Sequence, residues 1–206
     1  MIARVVLASD STAVELAAST FGAGDLLLYP TSTVYGLGGD PRDKNLSDRI
    51  QALKERPQSK PHLVLTDRWG RVADWVSGLT DVHERLMKFG RVRPITVLFE
   101  AGKQAPLHLV GESGEVAIRI TSHPFCSALI AKTGKPIIST SANKAGRSAP
   151  ADFDHIDPDI LTGIDLAING GKSAGKASTI VAVRNGAIEI VRIGSVSAAE
   201  IVSELE

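Results

Sequence analysis

Asn185-Gly186 separates two apolar, β-branched runs, at residues 179–183 and 188–193, and no other feature constrains the fold as strongly. Asn-Gly supplies the positive φ angles of a type I′ turn, so the two runs are expected to form an antiparallel hairpin. Elsewhere, short apolar runs alternate with helical patterns. Strands are expected at 26–29, 63–66, 95–99, 116–120, 136–139 and 166–168. Leu46, Ile50 and Leu53 stand at i, i+4 and i+7, which predicts a helix over 46–53. A helix at 124–132 should be closed by Gly134. Asp67 is expected to cap a helix carrying Trp69, Val72 and Val76, and Thr80 one carrying Val82, Leu86 and Phe89. T-A-V-E at 12–15 and S-A-A-E at 197–200 read as capping boxes opening the first and last helices. A hairpin set into a strand–helix rhythm predicts the α/β class, of α+β type, with a mixed sheet.

The 206 residues suit one domain over 1–206, and with 43% hydrophobic residues they can bury a core without staples. The acidic, Pro-containing segment 151–158 is a candidate hinge, but too little chain follows it to form a second domain. The single cysteine, Cys126, has no internal partner, which favours a reducing compartment; lying in an apolar run, it is expected to be buried and inert. The N-terminus lacks a secretory pattern and no run reaches the roughly 18 apolar residues of a membrane span, so a cytoplasmic protein without membrane contact is expected.

Lys and Arg total 23, as do Asp and Glu, and this balance argues against a general nucleic-acid binder. The charges are nevertheless segregated. Residues 116–151 contain no acid but carry Arg119, Lys132, Lys135, Lys144 and Arg147; residues 166–187 are also acid-free, with Lys172, Lys176 and Arg184. Acids gather at Asp152, Asp154, Asp157 and Asp159. Two readings stay open here, a positive cleft or merely solvated faces.

Three segments carry candidate chemistry. At 29–39, Y-P-T-S-T-V-Y-G-L-G-G runs from an apolar strand into hydroxyls and glycines, which suits either close backbone approach to an anion or an ordinary Gly-rich turn. It is not a dinucleotide fingerprint, because Pro41 stands where the third glycine is needed. At 54–61, K-E-R-P-Q-S-K-P places Lys54, Arg56 and Lys60 after a helix, either facing water or converging on a polyphosphate. At 136–146, P-I-I-S-T-S-A-N-K-A-G delivers Ser139, Ser141 and Asn143 to the carboxyl end of a strand, where open α/β sheets bind ligands. G-G-K-S-A-G-K at 170–176 imitates a P-loop but is followed by Ala177 and a strand pattern, so it is rejected as one. The five histidines show no metal-ligand spacing, and no metal site is expected from protein ligands.

In this order, the segments resemble the YrdC/TsaC family of threonylcarbamoyl-AMP synthases. Its pattern Y-P-T-x-T-x-Y-G-L-G, K-x-R-P, v-x-x-R, S-A-N, S-T-V and R-x-G is matched at 29–38, 54–57, 116–119, 141–143, 178–180 and 192–194. The resemblance implies a YrdC-like twisted mixed β-sheet with flanking helices and a concave, positively charged cleft. It also implies a nucleotidyltransferase: L-threonine, bicarbonate and ATP, with Mg²⁺, give threonylcarbamoyl-AMP and pyrophosphate, the first step of t6A tRNA modification. By the same matching, Lys54, Arg56, Ser141 and Asn143 would be catalytic. Thr33, Arg119, Ser139 and Ser178 would face threonine, while Arg56, Lys60, Ser141, Asn143 and Arg192 would face the nucleotide. A downstream tRNA threonylcarbamoyl-transferase complex would be the partner. Leu65, Glu115 and residues 92–96 depart from the family pattern. They leave room for a paralogue acting on another carbamoyl-type substrate, and a basic cleft leaves room for a non-catalytic double-stranded-RNA binder.

Overall fold

A computed structural model of the chain describes residues 3–55 and 62–205. Its strands are β1 (Arg4–Leu7), β2 (Leu27–Tyr29), β3 (Gly36–Gly38), β4 (Leu63–Thr66), β5 (Ile95–Glu100), β6 (Glu115–Ile120), β7 (Ile137–Ser141), β8 (Leu166–Asn169), β9 (Thr179–Arg184) and β10 (Ala187–Arg192). They form one mixed sheet in the order β1-β8-β2-β3-β7-β4-β6-β5-β9-β10. The helices are α1 (Ala13–Gly22), α2 (Lys44–Leu53), α3 (Asp81–Gly90), α4 (Pro124–Thr133), α5 (Pro158–Thr162) and α6 (Ala198–Leu205). The expected hairpin is β9–β10, and Asn185 and Gly186 both take positive φ, 54° and 76°. Among the described residues, no helix is long and apolar enough to cross a membrane.

Each strand sends alternate side chains to opposite faces, and the two faces are finished differently. On one face, Val64, Val97, Ile118 and Val181 belong to a large core that includes Leu46 and Ile50 of α2, Leu86 and Phe89 of α3, and Ile201 of α6. On the other, Ala13, Ala17 and Phe21 of α1 and Phe125, Leu129 and Ile130 of α4 bury Val6, Leu27, Ile168 and Ile137. These two helices roof the end of the sheet around β1, β8 and β2. The same face of β4, β6, β5 and β9 carries Leu63, Leu65, Ala117, Arg119, Thr96 and Ile180, and there it floors a cavity.

Several local expectations give way to competing partners. Asp67 does not cap a helix, because its carboxylate is taken by Arg71 at 2.6 Å; the segment instead makes two 3-10 turns, Trp69–Arg71 and Ala73–Trp75. Thr12 makes no capping box, since its hydroxyl donates to Asp10 Oδ1 at 2.7 Å while Glu15 pairs with Lys132. Ser197 and Glu200 do form theirs, with Glu200 Oε2 accepting from the Ser197 backbone at 2.9 Å. The strand expected at 136–139 continues through Ser141, so the polar loop starts later. The candidate hinge at 151–158 is built into the fold by a 3-10 turn, Phe153–His155, and by the start of α5.

Candidate active site

The cavity encloses about 340 Å³. Its lining includes three arginines, Arg119, Arg147 and Arg192, and many hydroxyls, but no carboxylate among the described residues.

Arg119 sits at its deep end on β6, beside Leu65 of β4. It is 5% exposed. Its Nη1 donates to Thr33 Oγ1 at 2.9 Å and its Nη2 to Ser32 Oγ at 2.7 Å, while Nε has no partner among the described residues. Burial pulls its pKa down to about 10, which still leaves it charged near neutrality. The Thr31 hydroxyl donates to the Val34 carbonyl at 2.6 Å, so in its 3.0 Å contact with Thr33 it is the acceptor. Behind this turn, Cys126 donates to the Pro30 carbonyl at 3.3 Å; burial pushes its thiol up to about 12, consistent with an inert thiol.

The glycines of 29–39 have a partly different task from that expected. Gly36 lines the cavity, but a Cβ on Gly38 would overlap the Ile138 carbonyl, and one on Gly39 the Leu46 side chain. Gly38 therefore serves the close approach of β3 to β7 rather than of backbone to ligand. Tyr35 ties the segment to its surroundings. Its hydroxyl accepts from Gly170 N–H at 2.9 Å and donates to the Gly171 carbonyl at 2.8 Å, and Gly175 N–H reaches the Thr33 carbonyl at 2.7 Å. The false P-loop is thus a strap laid across this turn, leading into β9 with no helix after it.

On the facing side, Ser139, Thr140, Ser141 and Asn143 line the cavity from β7 and the turn after it. Lys54, the residue after α2, is buried and approaches from behind: its ammonium donates to the carbonyls of Ser141 and Asn143, the latter at 2.5 Å. Ser141 Oγ donates to Asn143 Oδ1. Lys54 is not among the lining residues, so it braces the S-A-N turn in this structure. On the β5–β9 side, next to Arg119, Ser178 Oγ meets Thr96 Oγ1 at 2.8 Å, and Arg192 Nη2 donates to the Ser178 carbonyl at 2.8 Å. Gly194 allows this crossing, because any Cβ there would overlap Ala177 and Ser178 backbone.

The Sua5/YciO/YrdC family model, described as telomere recombination, matches residues 19–194. The chain belongs to that family. A threonylcarbamoyl-AMP synthase of Pseudoalteromonas translucida (strain TAC 125) is 33% identical over 142 residues, 68% of this chain and 76% of the relative. One from Xanthomonas oryzae pv. oryzae (strain PXO99A) is 34% identical over 156 residues, 75% of this chain and 83% of the relative. The fold superposes on P. abyssi Sua5 complexed with L-threonine with a TM-score of 0.91 at 26% identity, covering 100% of this chain and 61% of that one. The chain therefore spans less than two thirds of that Sua5.

In this Sua5/YciO/YrdC chain, Thr33, Arg119, Ser139, Ser141, Asn143, Ser178 and Arg192 come together around one cavity. Lys54 stands behind it, and Arg56 and Lys60 lie outside the described residues. Glu115 is not among the lining residues; its carboxylate pairs with Arg184 at 3.1 Å and accepts from Ser113 at 2.6 Å. Leu65 adds apolar floor beside Arg119. Sequence reasoning did not assign Tyr35, Thr96 or Arg147 to the site. Alternation along β5 places Thr96; Tyr35 lies within the 29–39 segment already marked, and Arg147 follows Asn143 on the loop after β7.

Proposed function

We propose that this cavity joins L-threonine, bicarbonate and ATP into threonylcarbamoyl-AMP with release of pyrophosphate, committing the product to tRNA modification. The observation that carries the reading is a lining with three arginines and no carboxylate, in which Thr33, Ser139, Ser178 and Arg119 converge. The curated relatives' activity supports it.

Arg119 is suited to the threonine carboxylate, because a desolvated guanidinium pre-oriented by two hydroxyls discriminates strongly in favour of an anion. Thr33, Ser139 and Ser178 present hydroxyls to the amino acid's polar groups. The threonine amine condenses with bicarbonate, losing water, to give a carbamate. A carbamate oxygen then attacks the α-phosphorus of ATP and pyrophosphate leaves with the cleaved P–O electron pair. Both reactants are anions, so fixed positive charge and hydrogen-bond donors lower the barrier by offsetting repulsion and orienting the attack; no covalent nucleophile is required. Ser141, Asn143 and Arg192 are assigned to the nucleotide, together with Arg56 and Lys60. Lys54 holds the S-A-N turn in place for them.

Among the described residues, the lining offers hydroxyl and amide oxygens but no carboxylate to fix a divalent ion. Mg²⁺ is therefore assigned to the ATP triphosphate, as part of the substrate, the usual habit of that ion. A cytoplasmic setting and a downstream tRNA threonylcarbamoyl-transferase complex complete the reading.

The test is pyrophosphate release from ATP and Mg²⁺ with threonine and bicarbonate omitted in turn. Release that requires both is expected. Release without threonine points to a simple ATPase, and none at all in folded protein returns the cavity to a paralogue's substrate or to RNA.

A further inference from the structure

Arg147 lies on the ridge between the main cavity and a shallower recess lined by Lys144, His155 and Asp157. Its backbone is fixed by the site itself. Asn143 Nδ2 donates to the carbonyls of Lys144 and Arg147, at 2.9 and 2.6 Å, and Arg147 N–H reaches the Lys144 carbonyl at 3.2 Å. Its side chain is 71% exposed and meets Asp157 through one nitrogen at 3.2 Å. Lys144, three residues earlier, is held quite differently, between Asp159 at 2.6 Å and Glu55 at 2.9 Å. One loop thus carries an anchored cation and a loosely held one, and only the loosely held one lines the cavity.

The other lining arginines are already engaged within the protein, Arg119 with Thr33 and Ser32, and Arg192 with the Ser178 carbonyl. A triphosphate lying along Ser141 and Asn143 meets Arg147 as the neighbouring lining cation. Leaving a one-nitrogen contact at 3.2 Å costs little, because Asp157 keeps its backbone donor, Asp159 N–H, whereas a planar guanidinium gains a two-pronged grip on phosphate.

We propose that Arg147 is the mobile phosphate-binding arm of the nucleotide site, resting on Asp157 when the cavity is empty and transferring to the ATP triphosphate when it fills. This rests on the nucleotide reading above and adds a ligand residue to it. Asp157 is then a counter-ion for the resting arm and a cap for α5, where its side chain accepts from Asp159 N–H at 3.0 Å.

Equilibrium binding of ATP and of inorganic tripolyphosphate, without threonine, tests the arm in wild type, Arg147→Ala, Arg147→Lys and Asp157→Asn, with a thermal melt of each. Arg147→Ala should weaken both ligands about tenfold, and Arg147→Lys about threefold, because lysine keeps the charge without the fork. Asp157→Asn, which retains a capping side chain, should bind both about twofold more tightly because the resting contact is gone. Wild type that binds neither ligand overturns the nucleotide reading and the arm with it. Wild type that binds both while Arg147→Ala binds equally well overturns the arm alone. Asp157→Asn weakened as much as Arg147→Ala also overturns it, since the pair would then be a structural pin. Should Arg147→Ala fail to fold, the lysine and asparagine variants decide.

Discussion

Arg119 and Arg147 line one cavity but are built to opposite specifications. Arg119 is 5% exposed, with two hydroxyl acceptors fixed around it. Arg147 is 71% exposed in its side chain and shares with Lys144 and Lys172 a single acidic segment, their partners being Asp157, Asp159 and Asp152. A desolvated, pre-oriented cation selects a small anion by geometry. Exposed cations on loops attract any polyanion, and salt screens them. The contrast predicts that amino-acid recognition and nucleotide recognition respond to different perturbations.

The largest effect is expected at the deep end. Arg119→Ala removes the charge-assisted contact proposed for the threonine carboxylate and should raise the threonine KM about 100-fold, while the ATP KM moves less than about threefold. Steady-state pyrophosphate release at varied threonine and ATP reads both. An equal rise in the two constants would dissolve the distinction between the ends. Lys54→Met comes next. It strips a donor from the carbonyls of Ser141 and Asn143. The Ser141 carbonyl keeps Asn143 N–H at 2.9 Å, but loss of a charge-assisted donor to the turn costs about 1–3 kcal/mol, so kcat should fall at least about tenfold and Tm by several degrees. Loss of turnover with Tm unchanged would instead show Lys54 acting directly on phosphate.

Salt separates the ends without any mutation. Between about 0.05 and 0.5 M, the screening length falls severalfold, and the ATP KM should rise about fivefold while the threonine KM stays within about twofold. Parallel responses would mean that Arg119 is no better shielded than the rim.

The same contrast explains what could be read from sequence. Ser139, Ser141 and Asn143 were legible because one strand and its turn deliver them, and Asn185-Gly186 was legible because a turn type dictates its residues. β1 and β3 were not anticipated. β1 gains its partner from β8, far along the chain, and β3 is Gly-Leu-Gly, whose poor strand propensity is overridden by pairing with β2 and β7. Arg147 was visible only as one cation in an acid-free stretch. Its place in the site depends on Asn143 and on an acidic segment that sequence reading treated as a hinge. The two capping boxes divide on the same ground: Glu200 reaches back to Ser197 through Oε2 while Oε1 meets Arg93, whereas Asp10 competes for Thr12.

The smallest expected effect is Asp159→Asn. Lys144 holds the Asp159 carboxyl below the ordinary carboxylate range through a hydrogen bond and its charge. A depressed carboxyl stabilises the folded state above its unfolded pKa, near 4, and that contribution disappears as pH falls through the lower folded value. At neutral pH the contact is therefore fully present, and the substitution removes it. Lys144 keeps Glu55, so Tm should fall by no more than about 2 °C and the ATP KM should change less than about twofold. In wild type, acid titration should reproduce that small loss only below about pH 4. Asp159→Asn combined with Glu55→Gln leaves Lys144 with neither acid, and the ATP KM should then move in step with the salt response of the rim. A large effect from Asp159→Asn alone would mean that the rim is held as rigidly as the deep end, and the two specifications would reduce to one.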